Sequence, residues 1–292
     1  MRKILALFFF FNFLFSFSQK IEKLPLRKYK IAILSDSLRE TSGLTLINDQ
    51  LYTINDGGNS NEVFEIDKNN GEILKKFKIN FPNNDWEAIT TDNESLYIGD
   101  FGNNAGVRKD LAVYKFNPFS KSISSDGDEL KFQFKYSEQE DFNVNYLNHN
   151  FDAEAMIFLK GNIHLFTKEW SSKNISHYIV SLQDSENQTI SKIETFKTGF
   201  VVTDASYFEG KLYVVGYTKK AKVYLMIFEE NTEGLFFSKP LKKYKLGSAI
   251  IVGQVEGIAV NRDGIYISNE RFSKFIFKAK QSLYFIPFHQ LK

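Results

Sequence analysis

The sequence predicts an all-β fold, a β-propeller of five blades with six as the alternative, and three observations carry that reading. Short runs that alternate apolar and polar residues recur along the whole chain. Turn residues punctuate these runs, and five of the segments align with one another as a repeat. The composition agrees, since 30 Phe and 14 Tyr against five Pro favour half-buried pleated surface over coil.

In chain order the runs begin with Tyr29–Leu34, Leu51–Ile54, Val63–Ile66, Leu96–Ile98, Ala112–Phe116 and Leu130–Tyr136. They continue with Ile163–Phe166, Tyr178–Leu182, Leu212–Val215, Val223–Phe228, Ile265–Ile267 and Phe275–Ala279. Past the first 18 residues no long stretch holds a helical period. Asn69-Asn70-Gly71, Lys160-Gly161-Asn162 and Asp263-Gly264 supply turns between strands.

The repeat reads TSGLTLINDQLYTIND from Thr41, WEAITTDNESLYIGD from Trp86, AEAMIFLKGNIHLFTKE from Ala153, TDASYFEGKLYVVGYTK from Thr203 and VEGIAVNRDGIYISNER from Val255. Each segment has a polar residue, a small residue, an apolar strand, a turn and a second strand. The polar residue stands 10 positions before a Tyr or His in four repeats: Ser42 to Tyr52, Glu87 to Tyr97, Glu154 to His164 and Glu256 to Tyr266. In the fifth, Asp204 to Tyr213, the spacing is 9. Successive repeats start 45, 67, 50 and 52 residues apart. Four strands with their turns need about 45 to 50 residues, the size of a propeller blade. The long second interval takes up Ser120–Asp126 and Glu138–Asn150 as loops.

The small residues, Gly43, Ala88, Ala155, Ala205 and Gly257, suit an axis on which five backbones converge. The run Tyr29–Leu34 precedes the first repeat and has no blade of its own. It is predicted to pair with the C-terminal strands around Leu283–Phe288 and close the ring.

Residues 1–18 read as a secretory signal peptide: Arg2 and Lys3, then an apolar run from Ile4 to Phe17, then Ser16, Ser18 and Gln19. That run of 14 residues is short of the roughly 20 a spanning helix needs. The expectation is an exported chain, periplasmic or extracellular, with 19–292 as one propeller domain and no membrane span after cleavage. There is no cysteine, so the fold rests on its core. Removing two basic residues with the leader leaves 35 basic against 35 acidic. A balanced chain without a basic run gains nothing from counterion release on nucleic acid and offers no polybasic membrane patch. A monomer is expected.

In a propeller the starts of first strands and the ends of second strands meet around one mouth of the channel. The starts bring Glu87, Glu154, Asp204 and Glu256, with Ser42 in register and Glu40 two residues upstream on the same side. The second-strand ends bring Asn55, Asp56, Asp100, Lys168, Glu169, Tyr217, Asn269 and Glu270. Arg108 and Arg271, with Lys219 and Lys220, add cations in the following loops. Carboxylates within about 8 Å cost about 2 kcal/mol per ionised pair at an effective dielectric near 20. A proton, a basic side chain or a cation must relieve that strain. Calcium suits a set of hard oxygen ligands, whereas zinc has no cysteine and four scattered histidines to bind. The expected metal ligands are therefore Glu87, Glu154, Glu256, Asp204, Ser42 and Glu40, and the surrounding cations suit a small anionic ligand. The loops Asp56-Gly57-Gly58-Asn59 and Asp100-Phe101-Gly102-Asn103-Asn104 read as tight-turn architecture. No nucleophile elbow, zinc-protease motif or phosphate loop is present, so metal-assisted hydrolysis is the enzyme class left open.

The acid-led inner strands, WEAITTDNESLYIGD, AEAMIF and VEGIAV, together with LYTIND from Leu51, resemble the calcium-activated nucleotidase (apyrase-like) family of secreted five-bladed propellers. That resemblance implies a central calcium held by Glu87, Glu154 and Glu256 and hydrolysis of nucleoside di- and triphosphates. The opening E-x-S-G-L…L-Y-x-x-N-D is equally similar to secreted propellers grouped with phytase-like and SdiA-regulated proteins. Ser42 stands where the nucleotidases have a glutamate, and Gly57-Gly58-Asn59 follows Asp56 where a basic residue is expected. The favoured expectation is a ligand- or partner-binding propeller with calcium in its channel. A calcium-dependent phosphoester or phosphoanhydride hydrolase is the alternative.

Overall fold

The computed structural model describes residues 20–119, 129–183, 187–238, 240–274 and 277–291. The expected leader, 1–18, and the expected loop 120–126 lie outside the described residues. The rest forms five antiparallel sheets set around one axis, so the count of blades is five. From the axis outward, blade 1 is Thr41–Ile47, Gln50–Asn55, Glu62–Ile66 and Ile73–Lys78. Blade 2 is Trp86–Thr91, Leu96–Asp100, Ala112–Phe116 and Glu129–Tyr136. Blade 3 is Ala153–Leu159, Asn162–Thr167, Ile175–Ser181 and Glu194–Phe196. Blade 4 is Val201–Phe208, Lys211–Tyr217, Lys222–Glu229 and Pro240–Ser248. Blade 5 takes three strands from the C-terminal end, Gln254–Asn261, Gly264–Glu270 and Ser282–Pro287, and its outer strand, Lys30–Ile33, from the N-terminal end.

That last pairing is the predicted closure, with Ala32 opposite Leu283 and Lys30 opposite Tyr284. Two short strands extend the blades further. Ile21–Lys23 runs parallel along the edge of blade 4, and Gln188–Ile190 along the edge of blade 2. The run Phe275–Ala279 departs from expectation. Its described part, Phe277–Ala279, pairs with Phe272–Lys274 as a separate hairpin, inserted between the second and third strands of blade 5.

Each inner strand packs on the inner strands of both neighbours, and five apolar clusters fill the five gaps between blades. Trp86, for example, is fully buried with Ile54 and Val63 of blade 1 and Tyr114 of blade 2, and its indole N–H donates to Pro82 O at 3.0 Å. Burying one such side chain stabilises by about 1.5–3 kcal/mol. At the axis the small residues are required by space. A Cβ on Gly43 would lie 2.7 Å from Ile89 N, and one on Gly257 would strike Ser268 Oγ. Among the described residues no helix is long and apolar enough to cross a membrane.

Candidate metal centre at the acidic mouth

Every inner strand carries a one-residue bulge near its start, and the bulge decides which side chains reach the mouth. In blades 2, 3 and 5 the bulged residue is the acid itself, Glu87, Glu154 or Glu256. A bulged residue has no partner across the ladder, so its side chain is re-aimed. The three glutamates, far apart in sequence, converge: each feels the charge of Glu154 or is Glu154 itself, and all three surround Lys168. Lys168 Nζ lies 2.6 Å from Glu154 Oε1, with both side chains buried. The Glu154 charge acts on Glu87, so the two carboxyls are close neighbours in the mouth.

Blade 4 corrects the expectation for Asp204. Its bulge falls on Thr203, between Val202 and Asp204, so Thr203 takes the register of Glu87 and Asp204 that of Ala88. Asp204 turns into the wall between strands. There Oδ2 accepts from Ile258 N at 2.6 Å and Leu44 N at 3.2 Å, and Oδ1 from Ala205 N at 2.8 Å. It ties blade 4 to blades 5 and 1 and leaves the carboxylate ring. A hydroxyl fills the ring position in blade 4, where Thr203 Oγ1 donates to Val255 O of blade 5. In blade 1 the bulge falls on Gly43, so Ser42 stays paired opposite Ile54 and its Oγ donates to Glu87 O of blade 2.

Two carboxylates that sequence reasoning passed over complete the mouth. Asp85 lies two residues before Glu87, and Asp152 two before Glu154, the same offset that singles out Glu40 before Ser42. Carboxylate oxygens of Asp56, Asp85 and Glu87 all lie within 4.8 Å of one another. Asp85 is set by its backbone, whose N–H donates to Asp100 Oδ1 at 3.0 Å and whose carbonyl accepts from Gly102 N at 3.1 Å. Asp56 is set by its N–H on Glu40 O and by Asn83, whose side-chain amide donates to its carbonyl. The two loop glycines are more than turn residues. A Cβ on Gly57 would collide with Asp85, and one on Gly102 with the carboxylates of both Asp85 and Glu87.

Burial pushes these carboxyls up, and their neighbours' charges push further. Asp56 rises to about 6, through burial and then the Glu154 charge. Asp85 rises to about 6, through burial and then Asp56. Asp152, whose Oδ1 accepts from Asn103 N while Oδ2 is buried without a partner, rises to about 6. Burial lifts Glu154 and Glu270 to about 7 and holds Glu87 and Glu256 well above the carboxylate range. For Lys168 burial acts downward, but the charges of Glu154, Glu256 and Glu87 outweigh it and keep the ammonium protonated. Seven carboxyls thus share one buried lysine.

The remaining predicted residues divide. Tyr217 belongs to the mouth: its hydroxyl donates to Glu256 Oε1 at 3.1 Å and accepts from Gln254 Nε2 at 3.3 Å. Glu270 also belongs, bonded by Gln254, and Glu40 sits exposed on the rim, accepting from Asn59 Nδ2 at 2.7 Å. Asp100 does not, because Tyr114 Oη, Asn84 Nδ2, Asp85 N and Arg108 already surround its carboxylate. Arg108 is likewise spent, on Asp100, Asp110 and Gly102 O, so it offers no open fork to an anion. Glu169 accepts from Thr167, Ser172 and Ser176 within blade 3. Asn55 and Asn269 donate to backbone carbonyls, of Ser37 and of Glu270 and Lys280. Arg271 is exposed, its N–H on Arg39 O. Two of the histidines also meet: His164 Nδ1 lies 2.9 Å from His177 Nε2, and His177 Nδ1 2.9 Å from Glu194 Oε1. They form a buried chain in blade 3, away from the mouth.

A cavity of about 560 Å³ opens at the opposite mouth, walled by Leu44, Ile89, Ile157, Phe158 and Ala259. The perturbed carboxyls mark the acidic mouth as the candidate site, since such groups cluster where function needs them. No protein-family model and no curated protein matches this chain.

Proposed function

We propose that this is an exported binding propeller that holds a calcium ion on Asp56, Asp85 and Glu87 and recognises its ligand or partner through the face that the ion organises. The observation that carries the reading is the convergence of three carboxylates within 4.8 Å, two of them framed by glycines that leave room at the site. An all-oxygen donor set suits calcium over zinc or copper. Lys168 is already committed to Glu154, so it relieves only part of the charge. The leader expected at 1–18 fits this proposal, because calcium sites outside the cell work at about 10⁻⁴–10⁻³ M, where a modest ligand set suffices.

Calcium titration by calorimetry, paired with thermal melts in calcium and in chelator, tests the metal. The expected result is saturable binding and a higher melting temperature with calcium, both lost in Asp85→Asn. An unchanged melt together with no binding heat would remove the ion from the proposal.

One observation favours hydrolysis as a second reading: Glu154 and Glu270, at about 7, are poised to exchange protons at neutral pH beside the metal ligands. Phosphate release from nucleotides and phosphoesters, with calcium and with chelator, separates the two. No turnover on any substrate leaves the binding reading alone.

A further inference from the structure

The groove between blades 3 and 4 has a chemistry opposite to that of the mouth beside it. It encloses about 460 Å³. Lys173, Lys219, Lys220 and Lys222 line it, and no acidic residue does. Among the described residues none of these four lysines has a carboxylate partner, whereas Lys68, Lys160, Lys168 and Lys242 each have one. A fifth, Lys243, packs over the Phe200 and Tyr224 rings at 5.2 and 5.0 Å and donates to Thr198 O.

We propose that this groove is a second binding site, for a small soluble phosphate ester. Three of its lysines fall within four positions, on the turn Thr218–Lys222. That turn is held tight by Ala221 N on Thr218 O at 2.8 Å and Thr218 N on Lys222 O at 2.9 Å. Crowding like charges on a fixed turn is unfavourable until a multivalent anion joins them, and lysine serves phosphate as a point charge. Lys173 approaches from the other wall, with a left-handed backbone (φ 58°) and its carbonyl bonded by Gly199 N and Thr198 Oγ1. Both walls are therefore preorganised, which lowers the ordering cost of binding.

The rest of the lining selects an organic phosphate over the bare ion. Trp170, Phe200, Tyr217 and Tyr224 give the groove an aromatic wall, and Phe200 stacks on Tyr224 at 5.4 Å. Lys219 lies over the Trp170 ring at 5.5 Å, while the indole N–H of Trp170 is buried without an acceptor. The volume suits a small metabolite and is too confined for a polymer. The aromatic rings are sunk in the groove and do not protrude, which disfavours insertion into a bilayer. Tyr217 joins this wall and also donates to Glu256, so the groove adjoins the acidic mouth.

The test is calorimetry on the full chain in chelator, so that the metal centre takes no part, with glucose 6-phosphate, glycerol 3-phosphate and adenosine monophosphate. Glucose and inorganic phosphate serve as controls. At least one ester is expected to bind saturably and at least five-fold more tightly than inorganic phosphate, with glucose silent. Lys219→Ala with Lys220→Ala is expected to weaken it at least ten-fold at an unchanged melting temperature. Raising the salt from 50 to 300 mM weakens it further. The proposal is overturned if none of the three esters binds, or if binding survives the double lysine substitution. It is also overturned if vesicles of phosphatidylglycerol bind while all soluble esters fail.

Discussion

Lys168 Nζ meets Glu154 Oε1 at 2.6 Å inside a mouth otherwise lined by carboxyls. The lysine arrives from the end of a second strand and the glutamate from the start of a first strand of the same blade. Breaking a buried pair by removing one partner costs about 3–5 kcal/mol. Lys168→Met is therefore expected to lower the unfolding free energy, measured in urea, by that order. Adding Glu154→Gln to it recovers part of the loss, because the stranded charge is gone. A Lys168→Met protein as stable as the parent would show that the acids do not depend on this ammonium.

The pH dependence of the chelated protein has a defined direction. Asp56, Asp85 and Asp152 titrate at about 6, and Glu154 and Glu270 at about 7, all above the unfolded range near about 4. The folded state holds these protons more tightly, so their stabilisation is complete below about 4 and is lost as pH rises through 6 to 7. His164, lowered to about 4 by burial, works the other way: its contribution is full above about 6.5 and falls as the pH drops. Five groups outweigh one. The urea midpoint in chelator is expected to be lower at pH 7.5 than at pH 5, and the drop to steepen in His164→Phe. Calcium should flatten it by binding the ionised carboxylates. A midpoint that rises with pH in chelator would contradict this account.

Gly102→Ala puts a methyl group against the Asp85 and Glu87 carboxylates without touching the apolar core. The expected outcome is loss of the calcium-induced rise in melting temperature, with a fall of only about 1–3 kcal/mol in the calcium-free protein. A full calcium response in this variant would separate the glycine from the site.

Asp204→Ala strands the buried N–H groups of Leu44, Ile258 and Ala205. Each orphaned donor costs about 1–3 kcal/mol, so unfolding by urea should shift by at least about 3 kcal/mol. The calcium-induced shift should persist in whatever folds, since this carboxylate does not face the mouth.

The repeat was legible because the axis imposes it: a small residue behind each polar one, and a Tyr or His a fixed distance on. Asp204 shows where such reading stops. Its spacing of 9, against 10 in the other repeats, marks Thr203 as the residue in register, but an acid that sits one position past the bulge leaves no other trace in composition. Asp85 and Asp152 were within reach, because the two-residue offset used for Glu40 applies to them equally. Asp100, Arg108 and Glu169 were not. Whether a charged side chain faces the channel or is consumed by neighbours such as Tyr114, Asp110 and Ser176 depends on cross-strand partners that the local sequence does not reveal.

Blade 5 joins Lys30–Ile33 to Ser282–Pro287, an early segment of the chain to nearly the last. Gln281 adds to the clasp, its side-chain amide reaching the carbonyls of Leu34 and Ser35. A growing polypeptide can assemble blades 1 to 4 as they emerge, yet the circle stays open until Ser282–Pro287 has been made. Until then the apolar flank of blade 1 around Leu44, Leu51 and Phe64 lacks Leu283, which completes its cluster with blade 5. A nascent chain halted before Ser282 keeps an open seam, so the making of that one strand, more than the formation of any earlier sheet, sets when this molecule becomes safe from aggregation.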